Sequence, residues 1–278
     1  MSSMTAIDQA EATVDLPGGL VLDDGRRLGQ VGLRRLSGRE EDWLARHRSV
    51  SNAEAVSEML AACMTHVGLE LTSRQIAREL LVGDRDFLMI QLRRLTLGDQ
   101  IAAVYTCPEC ASKMDVSLDL ADAPVDFSPQ LQSVYELQLP GGRIVRFRLP
   151  NGADQESVAA ISGNDAVNAL LHRCVVASGD VPLNEDDRQR ISDEMERIAP
   201  KVEIELDLTC PECGHQFLVE FDVAAFFFAE LAASQKTLLR EVHHLAFHYG
   251  WSEAAILAMD RGRRRAYLSL LADELRQE

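Results

Sequence analysis

The stretch that decides the fold occurs twice: residues 101–120 read IAAVYTCPECASKMDVSLDL, and residues 204–223 read IELDLTCPECGHQFLVEFDV. Thr106-Cys-Pro-Glu-Cys110 recurs 103 residues later as Thr209-Cys-Pro-Glu-Cys213. On both sides of each motif, apolar residues alternate with polar ones, and this period of two is typical of half-buried β-strands. Each copy therefore predicts a β-hairpin that carries two thiols at its tip.

The thiols of the two copies form the predicted ligand set of one structural zinc ion: Cys107, Cys110, Cys210 and Cys213. A Cys-x-x-Cys turn brings two sulfurs to one side, and the proline fixes φ directly after the first cysteine. Two such turns supply four thiolates, which is a closed zinc site without a position for a catalytic water. We therefore expect one zinc ion per chain, between two hairpins that pack with approximate two-fold symmetry.

A pair of redox-active dithiols is the alternative for the same cysteines. Redox motifs of this kind normally lie at the N-terminus of a helix, whereas a strand pattern follows both motifs here. The remaining cysteines, Cys63 and Cys174, lie on the apolar stripes of predicted helices. We expect both to be buried core thiols, because free cysteine is among the most buried residue types.

Helical and strand patterns follow one another in blocks, which predicts an α+β fold. In this fold, mixed helices surround two pseudo-symmetric β-hairpin zinc knuckles that form one zinc-ribbon-like site. We expect residues 1–13 to be a flexible tail and residues 14–120 to hold an N-terminal hairpin, helices and the first knuckle. Residues 121–203 are expected to form an inserted module of a hairpin and helices. Residues 204–278 are expected to hold the second knuckle and a helical C-terminal region.

Turn and cap residues set the finer expectations. Leu16-Pro-Gly-Gly-Leu20 and Asp23-Asp-Gly-Arg26 are typical turn sequences, and Pro140-Gly-Gly142 predicts the turn of the inserted hairpin. Gly83-Asp84 is expected to break a helix, with Asp84 or Asp86 capping the next one.

Composition excludes several classes of protein. Lys and Arg number 28 against 44 Asp and Glu, and the net charge of −16 repels phosphate backbones, so nucleic acid is an unlikely partner. The longest unbroken apolar run is the seven residues Val223–Ala229, far short of the roughly 20 that a membrane span needs. The N-terminus lacks the basic and apolar regions of a secretory signal, which favours a cytoplasmic location.

Three histidines near the C-terminus suggest a second metal site: His243, His244 and His248. The peptidase pattern requires glutamate directly after the first histidine of a pair spaced by four, but Leu245 follows His244, and no acidic third ligand has the right spacing. We therefore expect a helix packed by Leu245, Phe247 and Tyr249, and the role of the histidines stays open. The sequence contains no phosphate-binding loop, dinucleotide fingerprint or nucleophile elbow, and thus no catalytic constellation.

Four stretches, together with the first cysteine motif, resemble a known family. Leu80-Leu-Val-Gly-Asp-Arg-Asp-Phe-Leu88 runs into Leu92-Arg-Arg-Leu-Thr-Leu-Gly-Asp99 and then into the first cysteine motif. Near the C-terminus, Glu241-Val-His-His-Leu-Ala-Phe-His-Tyr-Gly-Trp-Ser-Glu253 precedes Arg263-Arg-Arg-Ala-Tyr-Leu268. Over about residues 14–272 this arrangement is similar to the contractile-tail baseplate protein family of myovirus-type phages and phage-tail-like injection systems. The zinc prediction comes from the cysteines of this sequence and not from the resemblance.

The resemblance implies a non-enzymatic structural or assembly component of a baseplate, whose partners are other baseplate, hub and spike proteins. It is compatible with a protein that stays in the particle and with one that leaves after assembly. Two other functions are weaker alternatives. A zinc-ribbon adaptor for nucleic acid or the transcription machinery conflicts with the net charge of −16. A metallohydrolase that uses the C-terminal histidines lacks the glutamate and the third ligand described above.

The C-terminal stretch combines the residue types that anchor protein interfaces, namely aromatic residues and arginine. They are Phe247, Tyr249, Trp251, Arg261, Arg263, Arg264, Arg265 and Tyr267. From the sequence we expect this end to dock on an acidic or mixed partner surface. The corresponding expectation is that charge reversal at Arg264 and Arg265 leaves folding intact and impairs baseplate assembly.

Overall fold

The computed structural model describes residues 10–22, 24–128, 131–178 and 182–276. Within these ranges helices and strands follow one another in blocks, so the mixed α+β content predicted from the sequence is confirmed. Residues 1–9 of the predicted tail lie outside the described residues. Ala12 and Thr13, which the sequence assigns to the same tail, belong to the first strand instead, where they pair with Leu33 and Gly32.

A four-stranded antiparallel sheet begins the fold, with the strands in sequence order. The strands are β1 (Ala12–Val21), β2 (Arg27–Leu33), β3 (Met64–Val67) and β4 (Glu70–Leu71). The predicted turn at 23–26, of which Asp23 lies outside the described residues, connects β1 to β2. Leu16-Pro-Gly-Gly-Leu20 is not a turn, because it lies inside β1, where the register with β2 shifts. Gly19, with φ at 86°, accommodates this irregularity.

Four helices accompany the sheet: α1 (Gly38–Arg46), α2 (Asn52–Cys63), α3 (Arg74–Glu79) and α4 (Val82–Leu97). Ser37 and Ser51 cap the first two, each in a capping box with the glutamate three residues later. The apolar faces of the sheet and helices form a core that includes Val31, Leu60 and Leu88, all fully buried. Sheet and helices therefore share one hydrophobic core.

The helix break that the sequence predicts at Gly83-Asp84 is wrong, because helix α4 runs through both residues. Both residues lie in the first turn of α4, and neither Asp84 nor Asp86 caps a helix. The Asp84 carboxylate is buried and accepts hydrogen bonds from the N–H groups of Gly18 (2.6 Å) and Gly19 (2.9 Å) in β1. This aspartate therefore fixes the irregular part of β1 to α4, a long-range role that a local cap signal cannot reveal.

The first cysteine motif lies between β5 (Gln100–Thr106) and β6 (Lys113–Asp119), which form a two-stranded antiparallel hairpin. The inserted module follows. Its three-stranded sheet consists of β7 (Tyr135–Gln138), β8 (Ile144–Phe147) and β9 (Val175–Ala177), and Pro140-Gly-Gly142 connects the first two strands as predicted. Its helices are α5 (Gly152–Val158), α6 (Gly163–Cys174) and α7 (Glu185–Ile198).

The inserted module has its own core, which includes Val145, Phe147 and Ile191, and it contacts the N-terminal part closely. A Cβ at Gly83 would lie 1.9 Å from the carbonyl oxygen of Pro200, at the end of the module. Gly83 therefore permits a backbone approach that any other residue prevents.

The second cysteine motif lies between β10 (Glu205–Thr209) and β11 (Gln216–Glu220), which form another two-stranded hairpin. The chain continues in helices α8 (Val223–Ala233), α9 (Gln235–Tyr249), α10 (Glu253–Leu257) and α11 (Arg261–Leu275), with breaks near Ser234 and Gly250. Phe227 and Leu231 of α8 enter the N-terminal core. No helix within the described ranges has the length and apolar character needed to cross a membrane.

Candidate metal centre

The two hairpins pack together through their apolar faces. At the ends remote from the cysteine motifs, Ile101 of the first hairpin shares a small core with Ile204 and Phe221. Nearer the tips, Met114 and Leu208 are buried together with the first cysteine of each motif. This packing aligns the two strand pairs so that both tips point to the same end of the molecule.

Four sulfur atoms meet at that end. The Sγ atoms of Cys107 and Cys213 lie 3.7 Å apart, and those of Cys110 and Cys210 lie 3.6 Å apart. All four lie within 4.8 Å of one another. Both short distances join the first cysteine of one motif to the second cysteine of the other, as the predicted approximate two-fold symmetry requires.

The two turns use the same backbone hydrogen bonds. The N–H of Ala111 donates to the carbonyl of Cys107 (3.0 Å), and the N–H of Gly214 donates to the carbonyl of Cys210 (2.9 Å). The residue after the second cysteine has a left-handed conformation in both copies, with φ at 58° for Ala111 and 74° for Gly214. The repeated motif therefore folds into the same turn twice, although only one copy has the glycine that favours this conformation.

The two cysteines of each motif differ in solvent exposure, and both motifs show the same difference. Cys107 and Cys210 are buried to 1% exposure, whereas Cys110 and Cys213 are exposed. The first cysteine of each motif is therefore fixed by the hairpin core, and the second lies at the surface. A metal ion held by the four sulfurs would therefore be covered by protein on the side of Cys107 and Cys210 and close to solvent on the side of Cys110 and Cys213.

The protonation of the exposed thiols is asymmetric. Hydrogen bonds from the hydroxyl and the N–H of Ser112 are the main cause that lowers the pKa of Cys110 to about 6. The N–H of His215 favours the Cys213 thiolate, but desolvation and the neighbouring thiols outweigh it and raise the pKa of Cys213 to about 12. A cation among the sulfurs would favour the thiolate form of both side chains, because a nearby positive charge stabilises an anion.

The geometry and the donor set fit a tetrahedral soft-metal site. Zinc–sulfur bonds of about 2.3 Å place tetrahedral sulfurs about 3.8 Å apart, close to the two distances between Sγ atoms given above. Four sulfur donors favour Zn²⁺ over oxygen-seeking ions such as Mg²⁺ and Ca²⁺. In the described part of the chain, these cysteines form the one group of three or more potential ligands that is close enough to share a metal ion.

The other two cysteines lie in the core, as the sequence predicts. Cys63 and Cys174 are both fully buried. Burial is the main cause that raises the pKa of each thiol to about 12, so neither is a reactive thiolate near neutral pH.

The C-terminal histidines lie on the exposed side of α9, where the rings of His244 and His248 stack at 6.5 Å between centroids. No carboxylate joins them as a third ligand in the part of the chain that the structure describes. The expected packing of this helix holds for Leu245, which is fully buried, and is wrong for Phe247, which is 76% exposed.

The burial of Arg264 argues against the expectation that its charge can be reversed without loss of folding. Its side chain is fully buried. Its Nη2 donates to Glu41 Oε1 (2.7 Å), and its Nε donates to Glu241 Oε2 (2.8 Å). Arg261, with a second contact to Glu41 at 3.2 Å, extends the network. We call Arg264, Glu41 and Glu241 the arginine cluster, which the sequence does not predict because its members come from three separate helices.

Comparison with known proteins identifies the family. Residues 20–229 match the family model described as "T4 bacteriophage base plate protein", a segment that contains both cysteine motifs and ends before α9. Comparisons with curated proteins and with solved structures give no significant match. Because the family model covers well over half of the chain, this protein belongs to the T4 bacteriophage base plate protein family.

Proposed function

We infer that this chain is a non-enzymatic structural or assembly component of the baseplate of a contractile injection machine, either a phage tail or a phage-tail-like particle. The observation that carries the proposal is the family match over residues 20–229. Its partners are other baseplate, hub and spike proteins, and it acts in the cytoplasm, where such particles assemble.

One structural zinc ion is part of this proposal, bound by the four cysteines in a zinc-ribbon-like arrangement of the two hairpins. The metal would act as a structural cross-link between the thiols and not as a catalyst, because four thiolate ligands leave no position at which a water molecule is activated. Cys110 and Cys210 lie 100 residues apart in the chain. Their common ligation holds together segments that flank the whole inserted module, and the binding free energy of the metal contributes to folding.

The charge of the two hairpins argues against the alternative function, a zinc-ribbon adaptor that binds nucleic acid. Between Gln100 and Asp119 there are three acidic residues and one lysine, and between Glu205 and Glu220 there are four acidic residues and no lysine or arginine. A hairpin pair of this charge repels a phosphate backbone at the position where a nucleic-acid-binding zinc ribbon needs cations. The baseplate function is therefore the better supported one.

A deletion strain tests the proposed function. Deleting the gene should abolish intact particles, and the wild-type gene supplied in trans should restore them, as counted by electron microscopy. Mass spectrometry of purified particles then distinguishes a retained component from a transient assembly factor. Normal particles from the deletion strain would contradict the proposal.

The zinc ion is tested separately by elemental analysis of protein purified without chelators. We expect about one equivalent of zinc per chain, since one four-thiolate site binds one ion. Protein that contains no metal, with all four thiols freely reactive toward a thiol reagent, would exclude the zinc and leave the baseplate assignment intact.

A further inference from the structure

The C-terminal helices α9, α10 and α11 lie beyond the segment that matches the family, yet they are firmly attached to it. The arginine cluster joins α9 and α11 to Glu41 of α1 through buried hydrogen bonds of 2.7 and 2.8 Å. The N–H of Gly38 also donates to the carbonyl of Met259, beside α10, at 3.1 Å. These contacts make the C-terminal helices a fixed platform on the family core rather than a loose extension.

One side of α9 faces away from that core. We call it the outer face and define it by five exposed residues at helical spacing: Lys236, Leu239, Arg240, His243 and Phe247. Leu239 is 52% exposed and Phe247 is 76% exposed. Leu238, Glu241 and Leu245 on the opposite side of the helix are buried, so the outer face lies on the side of α9 that is open to a partner.

Neighbouring rings pack against the aromatic part of the outer face. Phe247 stacks on His243 with centroids 6.3 Å apart and contacts the edge of His248 at 5.1 Å. An ordered aromatic side chain loses little conformational entropy when a partner covers it, which is a property of interface anchors. Phe247 has the exposure and the support that such an anchor needs.

This region lacks the strong negative charge of the rest of the chain. Residues 235–278 contain seven Lys and Arg against six Asp and Glu, whereas the whole chain has a net charge of −16. The outer face contains no acidic residue. Neither Lys236 nor Arg240 forms an ion pair with any residue that the structure describes. This face therefore offers two uncompensated cations beside an exposed aromatic ring.

We propose that the outer face of α9 docks an acidic segment of another baseplate protein, with an apolar side chain on Phe247 and carboxylates opposite Lys236 and Arg240. The inference rests on the proposed function and names the chemistry of the partner. Charge complementarity selects this occupant. A two-fold contact with a second copy through the same face brings like charges together. The net charge of −16 opposes the dense negative charge of a phosphate backbone more strongly than that of a short acidic segment.

Photo-crosslinking identifies the occupant. A benzophenone amino acid replaces Phe247 in the full chain, expressed in the deletion strain during particle assembly, and crosslinked peptides are sequenced by mass spectrometry. We expect peptides from another tail protein in a segment rich in Asp and Glu. Crosslinks to a second copy of this chain, to nucleic acid, or to no partner at all overturn the proposal. The same probe at Leu71, which is 70% exposed in β4, is the control for random contact.

Paired variants measure the contribution of the face. Arg240→Glu with Phe247→Ser should lower particle yield at least about tenfold, because charge reversal opposes an acidic partner and loss of the ring removes an anchor. Arg39→Glu with Leu71→Ser removes one exposed cation and one exposed apolar residue elsewhere and should leave the yield unchanged. Circular dichroism verifies that both proteins are folded. If the deletion abolishes particles but the α9 variant restores them fully, the docking inference is wrong while the proposed function stands.

Discussion

Two polar clusters hold distant parts of this chain together, and they do so by different means. The cysteine cluster joins the hairpin tips at the surface. It consists of four cysteines whose sulfur atoms lie within 4.8 Å of one another: Cys107, Cys110, Cys210 and Cys213. The arginine cluster joins α1, α9 and α11 in the interior, where Arg264 lies between the carboxylates of Glu41 and Glu241. The first cluster can hold a cation from outside the chain, whereas the second contains its own in Arg264.

This difference determines how each cluster responds to its surroundings. With the proposed zinc ion bound, we expect chelators and acid to act on the cysteine cluster, because metal ligation requires thiolates. The arginine cluster is compensated within the fold, and both neighbouring carboxylates contribute to raising the pKa of Arg264 against the effect of its burial. Its charge is therefore constant at any physiological pH, and its contribution depends on packing and geometry alone.

The largest effect is expected from reversing the charge at the centre of the arginine cluster. Arg264→Glu places a third carboxylate beside Glu41 and Glu241 in the interior. Because removal of one partner of a buried ion pair already costs about 3–5 kcal/mol, we expect this variant to lose at least that much stability or to fail to fold. Urea unfolding followed by circular dichroism measures the loss.

Two further variants make this prediction specific. Arg263→Glu alters the exposed neighbour and should change the free energy of unfolding by no more than about 0.5 kcal/mol. Arg264→Met combined with Glu41→Gln and Glu241→Gln removes every charge of the cluster and should recover part of the lost stability. If Arg264→Glu unfolds at the same urea concentration as Arg263→Glu, the arginine cluster does not hold the C-terminal helices.

A smaller effect is expected at the cysteine cluster. Cys107→Ser and Cys210→Ser should each abolish the zinc equivalent and destabilise the protein equally, by about 2–4 kcal/mol, because the metal stabilises mainly the hairpin tips that it joins. The matched control is Cys63→Ser, which removes a buried thiol and should leave the zinc content unchanged. Elemental analysis and urea unfolding give the two readouts. Unequal losses at positions 107 and 210 would show that the two motifs do not act as equivalent halves of one site.

The same comparison shows what the sequence can and cannot predict. The cysteine cluster was predictable because each half is a short motif of fixed spacing, and the repeat places the same strand pattern around both halves. The arginine cluster consists of single residues from positions 41, 241 and 264, and no local pattern relates them. Arg264 in particular lies in a basic run that has the composition of a solvated helix face.

The N-terminal part teaches the same lesson on a local scale. Gly83-Asp84 has the composition of a helix break, and Leu16-Pro-Gly-Gly-Leu20 has the composition of a turn. Both signals are overridden by one tertiary contact, in which the Asp84 carboxylate accepts the N–H groups of Gly18 and Gly19. The hairpins followed local rules and were predicted from the sequence, whereas residues that serve a distant segment were not.

The smallest effect concerns the half-buried carboxylate of Asp86, which forms no ion pair with any residue that the structure describes. Burial, followed by the nearby charge of Asp222, raises the pKa of Asp86 from 3.8 to about 6. Among the described residues no hydrogen bond reaches its carboxylate. The native state therefore binds this proton more tightly than the unfolded state does. The stability that results is complete below about pH 4 and is lost as the pH rises through 6.

Asp86→Asn is therefore expected to stabilise the protein at pH 7.5 by about 1–2 kcal/mol, because the amide carries no charge to desolvate, and to have little effect at pH 3.5. Urea unfolding at both values of pH measures the difference.

Asp84→Asn is the matched control, since burial also raises the pKa of Asp84 to about 6. Its two oxygens, however, accept the N–H groups of Gly18 and Gly19, and the amide nitrogen cannot replace one of them. This control should lose about 1–3 kcal/mol at either pH. If Asp86→Asn and Asp84→Asn change the free energy of unfolding equally, hydrogen bonding to the carboxylate does not determine how these two aspartates affect stability.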